Sequence, residues 1–170
     1  LQTIAKVTTV MAEGELEELI KTNDLSLTEE EYLSIITRKT ASLISAATQI
    51  GAILGNVPKE REEALARFGM DVGIAFQLID DNLDYTSNEE EFGKKIGIDF
   101  QDGKITLPLI FPLSHCNGEE RSFIQETIES RPVSKEIFFR VLEIIERYQG
   151  IQYTWEKAKG YVDRAKEHLD

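Results

Sequence analysis

Three aspartates stand close together in the middle of the chain, at Asp80, Asp81 and Asp84. In a helix, residues four positions apart lie on one face, so the spacing places Asp80 beside Asp84, with Asp81 next to them. Carboxylates this close repel one another unless a cation or solvent compensates. Mg²⁺ suits hard carboxylate oxygens, and it usually takes one or two of them together with water and phosphate oxygens. The spacing therefore favours a magnesium site that accepts a phosphate-bearing ligand.

A solvated helix face is the ordinary alternative for such a run of charges. Two observations count against it here. Residues 74–79, directly before Asp80, are too apolar for an exposed stretch of helix. The segment after the aspartates brings Lys94 and Lys104 among three glycines, and flexible backbone beside lysine suits a phosphate site. We therefore favour a functional interpretation of the aspartates.

Apolar residues recur at helical spacing along most of the chain, and only four prolines interrupt them. No stretch alternates apolar and polar residues for long, as a half-buried strand would. We therefore predict an all-α protein. The predicted helices cover the opening residues up to 22–24, then 28–54, 58–83, 106–115, 119–130, 134–148 and 152–169. A polar loop at 86–104, with one short helical turn at 88–92, separates the aspartates from the later helices.

Several local signals place these helices. Thr28 and Glu31 form a capping box at a helix start, and Gly55 with Asn56 ends that helix. Pro58 suits a first helical turn. The predicted core positions of the helix that carries the aspartates are Leu65, Phe68, Val72, Phe76, Ile79 and Leu83.

The composition excludes several classes of function. The chain has 170 residues, with 19 Lys and Arg against 31 Asp and Glu, a net charge of −12, so nucleic acid and anionic membrane surfaces are poor partners. Cys116 is the one cysteine, so no internal disulfide forms and a reduced, cytoplasmic setting fits best. The longest apolar stretch, 105–113, is far shorter than a membrane span of about 20 residues. The sequence begins at Leu1 without an initiator methionine, and we therefore expect it to be a piece of a longer chain.

Residues 76–84 (FQLIDDNLD) resemble the second aspartate-rich motif of the trans-isoprenyl diphosphate synthases, the polyprenyl synthetase family, above all the bacterial octaprenyl and other long-chain enzymes. Several ordered motifs at fitting separations are far more specific than any one alone. The other segments that resemble motifs of this family are Tyr32 with 38–43 (RKTASL), 11–15 (MAEGE), 93–99 (GKKIGID), 103–108 (GKITLP) and, more loosely, 150–154 (GIQYT).

The resemblance implies an all-α helical bundle of the isoprenoid synthase type, of which residues 1–170 are the C-terminal portion of a single domain. It implies that isopentenyl diphosphate elongates an allylic diphosphate in a Mg²⁺-dependent reaction. Asp80 and Asp84 would hold the metal, supported by Asp81. By the same resemblance, the residues that contact the allylic diphosphate would be Lys39, Lys94 and Lys104. Thr40 and Gln77 would place oxygen dipoles near the developing carbocation. The residues implied in catalysis are Lys39, Thr40 and Gln77.

Ordinary alternatives exist for these residues. Lys39 and Lys104 are surface lysines by default, and Gln77 is a core amide. His115 and His168 have no metal-ligand spacing, so we expect structural or surface roles for them.

The resemblance also implies a homodimer, formed through helices near the start, and long prenyl products that pass to a membrane the protein does not span. The first aspartate-rich motif of the family has no counterpart in this chain, so we expect the chain alone to lack efficient prenyl transfer. Two alternatives stay open. One is a noncatalytic accessory subunit that regulates a complete synthase, and the other is a helical interaction domain with an acidic face.

Overall fold

The computed structural model describes residues 2–86 and 97–170, and these residues form helices with no strand among them, as predicted. None of the helices described combines the length and the apolar character that crossing a membrane requires. The helices are α1 (Gln2–Ile20), α2 (Glu29–Ile36), α3 (Ser42–Leu54), α4 (Lys59–Thr86), α5 (Ile98–Asp102), α6 (Leu107–Leu113), α7 (Gly118–Glu129), α8 (Lys135–Arg147) and α9 (Gly150–Glu167).

The predicted capping box opens α2. The backbone N–H of Glu31 donates to Oγ1 of Thr28 at 3.2 Å, and the backbone N–H of Thr28 donates to Oε2 of Glu31 at 2.9 Å. Each bond satisfies an amide that the first helical turn leaves without a helical partner. Gly55 follows the last residue of α3, also as predicted.

The single helix predicted for residues 28–54 is interrupted. Thr37–Ala41 forms a π-helical turn between α2 and α3, and Arg38, Lys39 and Thr40 lie within it. One-turn π segments inside α-helices occur frequently at functional sites. Apolar periodicity does not reveal such a turn, because the turn shifts the apolar face of the helix by only one residue.

The loop predicted for residues 86–104 contains a helix, α5. Glycines bound it on both sides, Gly97 with φ of 73° and Gly103 with φ of 84°, a left-handed conformation that costs glycine little. Five residues are too few to show a helical period, so the glycines alone suggested a loop. The helical turn predicted at 88–92 lies outside the described residues.

The predicted core face of α4 is wrong in part. Phe76 is 59% exposed and Leu83 is 43% exposed, whereas the other four predicted core residues are half-buried. The buried stripe includes Asp71, Asp81 and Asn82, whose polarity hid it from a search for apolar periodicity. It consists of Asp71, Ile74, Ala75, Leu78, Asp81, Asn82 and Tyr85.

The chain divides into two compact units. The first contains the residues up to Leu19, Leu33–Leu78 and Glu156–Asp170, and the second contains Ile20–Tyr32 and Ile79–Trp155. In the first unit, α4 packs directly on the π-helical turn. A Cβ at Gly73 would lie 2.5 Å from Cα of Ala41, so only glycine permits this approach.

Also within the first unit, the end of the chain is tied to the middle of α4. Asp71 is 5% exposed, and its carboxylate accepts from Nε of Arg164 at 2.9 Å and from a terminal nitrogen of Arg164 at 2.6 Å. Nε2 of His168 lies 3.0 Å from Oδ2 of the same carboxylate. Burial opposes the ionisation of Asp71, but the hydrogen bonds and charges of Arg164 and His168 prevail and lower its pKa. His168 therefore has the structural role expected of it.

The second unit contains an aromatic cluster. The ring centroid of Phe138 lies 6.2 Å from that of Tyr85 and 5.8 Å from that of Phe100. A Cβ at Gly97 would collide with the ring of Phe138, so this glycine lets α5 begin against the cluster. The cluster thereby positions α5 beside the last turn of α4.

Candidate functional site

Asp81, the middle aspartate of the motif, lies inside the second unit. Its side chain accepts a short hydrogen bond at Oδ2 from the hydroxyl of Tyr32, and both residues are only 3% exposed. Burial raises the pKa of Tyr32 well above its usual value, and the charge of Asp81 raises it further. The phenol therefore stays protonated and remains a donor to the carboxylate.

Asp84 faces the start of α5. Its Oδ1 accepts from the backbone N–H of Ile98 at 3.1 Å, and its Oδ2 accepts from the backbone N–H of Asp99 at 3.1 Å. Burial, followed by the charge of Asp99, raises the pKa of Asp84 to about 6 although the two N–H groups act in the opposite direction. A half-buried carboxylate beside another carboxylate is an environment that favours a cation.

Lys104 joins the same cluster. Its Nζ lies 2.7 Å from Oδ1 of Asp99, and its charge lowers the pKa of Asp84 slightly. Two residues predicted from the sequence, Asp84 and Lys104, are thus brought together by α5. Asp99 was not predicted as a site residue, because it stood in a segment that showed no helical period.

Asp80 is exposed, in contrast to its neighbour Asp81. Asp80 and Asp84 are four residues apart on α4, so their side chains lie on the same face of the helix. Asp80 is thus the exposed aspartate of the motif, and Asp84 is half-buried. Lys94 lies outside the described residues.

Lys39 belongs to the first unit, where it is paired with α1. Its Nζ lies 2.5 Å from Oε2 of Glu18 and 3.2 Å from Oε2 of Glu15. Burial lowers the pKa of Lys39, but the hydrogen bonds and charges of Glu18 and Glu15 prevail and raise it above its usual value. The lysine is therefore charged. The two glutamates were not predicted, because α1 carries several glutamates and only tertiary packing selects these.

Thr40 and Gln77 also lie in the first unit, and they are in direct contact. Oγ1 of Thr40 donates to Oε1 of Gln77 at 2.8 Å. Both side chains are half-buried, and the hydrogen bond gives the amide oxygen of Gln77 a partner. The π-helical turn supplies the threonine and α4 supplies the amide.

Among the described residues, the aspartates fit a magnesium ion that also takes ligands from outside the protein. Among residues 2–86 and 97–170, no three His, Cys, Asp or Glu side chains lie where they could together hold a metal ion. Mg²⁺ in phosphate-handling proteins commonly uses one or two carboxylates and completes its shell with water and substrate phosphate. Asp80 and Asp84 match that pattern of donors.

Comparison with known proteins decides the family. The family model for polyprenyl synthetase matches residues 1–145. The chain belongs to the polyprenyl synthetase family. It is 36% identical to the octaprenyl diphosphate synthase of Haemophilus influenzae, over 100% of this chain and 51% of that protein. It is 37% identical to the octaprenyl diphosphate synthase of Escherichia coli K12, over 97% of this chain and 51% of that protein.

Solved structures of this family share the fold. The decaprenyl diphosphate synthase of Rhodobacter capsulatus matches with a TM-score of 0.91 at 35% identity, over 99% of this chain and 52% of that one. A polyprenyl synthase of Caulobacter crescentus, solved with calcium and isoprenyl diphosphate, matches with a TM-score of 0.93 at 38% identity, over 99% and 52%. These matches confirm the predicted isoprenoid synthase fold. The chain spans about half the length of the relatives it matches.

Proposed function

We propose that the protein carrying this polyprenyl synthetase sequence is a trans-polyprenyl diphosphate synthase, and that this chain is the C-terminal portion of its single synthase domain. The observation that carries the proposal is the cluster of Asp84, Asp99 and Lys104, where a carboxylate with a raised pKa stands beside a lysine. The relative solved with calcium and isoprenyl diphosphate supports it, because a divalent cation and a prenyl diphosphate occur together in that protein.

The proposed reaction joins an allylic diphosphate to isopentenyl diphosphate. The carbon–oxygen bond of the allylic diphosphate breaks, and its electron pair leaves with the diphosphate. The double bond of isopentenyl diphosphate then supplies the pair that forms the new carbon–carbon bond, and a proton is lost to restore a double bond. No protein nucleophile takes part, so the protein contributes binding, orientation and charge.

The negative charge of the leaving diphosphate grows as the bond breaks, so cationic groups that contact it stabilise the transition state most. We assign this role to Lys39, Lys94 and Lys104. Asp80 and Asp84 would hold Mg²⁺, which would neutralise part of the diphosphate charge when bound. Asp81 supports these two from within the protein.

Thr40 and Gln77 would stabilise the opposite charge, that of the allylic cation. Their side-chain oxygens carry partial negative charge, and the 2.8 Å hydrogen bond fixes one relative to the other. Fixed dipoles need no reorganisation when the cation forms. We therefore assign them an electrostatic role in which neither oxygen bonds to the substrate.

The test is prenyl transfer by the full-length protein that carries this sequence, with labelled isopentenyl diphosphate and an allylic diphosphate. We expect activity that requires Mg²⁺ and disappears with a chelator. Asp80→Ala should reduce turnover by about 100-fold or more with little change in melting temperature, because it removes an exposed metal contact.

Asp163→Ala is the matched control, since Asp163 is an exposed aspartate of α9 that pairs with Lys166. It should leave turnover unchanged. Near-normal turnover of Asp80→Ala would contradict the assignment of the metal site. A full-length protein that binds a partner synthase but transfers no prenyl group would instead identify an accessory subunit.

We further propose that the protein is a cytoplasmic homodimer. The single cysteine supports a reducing compartment. The apolar side chains of Ile4, Leu16 and Leu19 support pairing through α1, because they are between 54% and 61% exposed.

A further inference from the structure

The hydroxyl of Tyr32 is the donor that α2 directs at the aspartate motif. Tyr32 and Asp81 are 49 residues apart in the chain, yet the phenol and the carboxylate form a hydrogen bond inside the second unit. Both side chains are 3% exposed. A contact between two such distant residues requires a defined orientation of α4 where the motif lies.

Burial of a carboxylate is costly unless hydrogen bonds replace the water it loses. The hydroxyl of Tyr32 supplies one of these hydrogen bonds to Asp81. A phenol donates a hydrogen bond while it stays neutral. Tyr32 therefore replaces part of the lost water around Asp81 without adding a charge of its own.

We propose that Tyr32 is a positioning residue for the aspartate motif, holding Asp81 inside the protein so that Asp80 and Asp84 present their carboxylates to a divalent cation. The proposal rests on the proposed function. Consecutive residues of a helix are separated by about 100° of rotation, so fixing Asp81 fixes the directions of its neighbours. In this arrangement Asp81 contributes its charge and its anchorage, and Asp80 and Asp84 contribute the oxygens that contact the ion.

Tyr32→Phe tests this role in the full-length protein, because it removes the hydroxyl and keeps the ring. Calorimetric titration of Mg²⁺ in the presence of inorganic diphosphate measures cation binding without turnover. We expect about a tenfold loss of Mg²⁺ affinity, the usual effect of removing a group that orients a metal ligand. The Mg²⁺ concentration for half-maximal prenyl transfer should rise by a similar factor.

Tyr153→Phe is the matched control. Its hydroxyl donates to Oε2 of Glu29 at 2.7 Å, also between a tyrosine and a carboxylate of the second unit. We expect this variant to lose some thermal stability and to keep the Mg²⁺ affinity of the wild type. An unchanged Mg²⁺ affinity in Tyr32→Phe, or an equal loss in Tyr153→Phe, would overturn the proposal.

Asp81→Leu keeps the test decisive if Tyr32→Phe does not fold. It removes the acceptor of the Tyr32 hydroxyl at similar side-chain size, so Mg²⁺ affinity should again fall by about tenfold. Unchanged affinity in this variant would also overturn the proposal. If the wild type binds Mg²⁺ with diphosphate and Tyr32→Phe weakens that binding, the positioning role stands even where prenyl transfer is absent.

Discussion

Asp84 differs from an ordinary aspartate in the pH at which it loses its proton. Its pKa is raised from 3.8 to about 6, first by burial and then by the charge of Asp99. A group whose folded pKa is raised contributes stability below its unfolded pKa and loses that contribution as the pH rises through the folded pKa. For Asp84, the loss falls between about pH 4 and pH 6.

Asp84→Asn measures this effect, because asparagine does not titrate. The unfolding free energy of the wild type minus that of Asp84→Asn should fall between pH 4 and pH 7.5 by about 1–2 kcal/mol, a figure discounted for partial solvent screening. Urea unfolding at the two pH values measures the difference in the metal-free protein. Asp163→Asn, at an exposed position, serves as control. If the free-energy difference between wild type and variant changes as little with pH for Asp84→Asn as for Asp163→Asn, the raised pKa of Asp84 is contradicted.

Spacing alone identified the aspartates as a group, because Asp80 and Asp84 repeat the helical period. Spacing could not tell which of the three aspartates is buried, because residues distant in sequence cover one side of α4 and leave the other exposed. The roles of Tyr32 and Asp99 escaped prediction for the same reason. Their contacts with Asp81 and Asp84 exist only after α2 and α5 have packed.

Among the helices, the contact between α4 and the π-helical turn is close enough to test with one methyl group. Gly73→Ala would place its Cβ 2.5 Å from Cα and 2.9 Å from Cβ of Ala41. One of the two segments must move, so we expect a loss of about 1–3 kcal/mol in unfolding free energy, typical of an overpacked contact. The midpoint of urea unfolding measures it.

Gly51→Ala and Gly160→Ala are suitable controls within helices. A Cβ at either position meets nothing within 4 Å. Alanine has the higher helix propensity, so each control should be neutral or stabilising by up to about 1 kcal/mol. A Gly73→Ala variant as stable as these controls would show that the two segments separate without cost.

Helix positions were predictable wherever the period persisted over several turns. The capping signals at Thr28 and Glu31 placed the start of α2 correctly, because they act through bonds within one turn. The face of α4 was not predictable from apolar residues. Its buried side includes Asp71 and Asp81, whose burial depends on partners from other helices.

At the scale of the whole molecule, the proposed homodimer is testable through α1. Leu16 is 60% exposed in this chain and lies on the helix through which we propose that the protein pairs. We expect Leu16→Glu to shift the full-length protein from dimer to monomer, because a charge cannot be buried unpaired in an interface. Sedimentation equilibrium gives the mass directly.

Leu169→Glu provides the comparison, since Leu169 is 56% exposed at the other end of the chain. It should leave the dimer intact. A monomeric wild type, or a dimer that tolerates Leu16→Glu, would contradict pairing through α1.

The fold class and the family followed from the sequence, because both depend on patterns that each segment carries by itself. The division into two compact units did not, since it depends on which segments pack together. Residues 156–170, for example, belong to the first unit although residues 150–155 of the same helix belong to the second.

The tie between Asp71, Arg164 and His168 gives the last two residues a structural role apart from any chemistry. Trimming the protein before Arg164 would leave a carboxylate enclosed in the first unit without its cation, an arrangement far less favourable than the intact pair. The aspartate would then take up a proton, or water would enter beside α4. Changes that remove Arg164 or His168 would thus weaken the long helix that carries the aspartate motif.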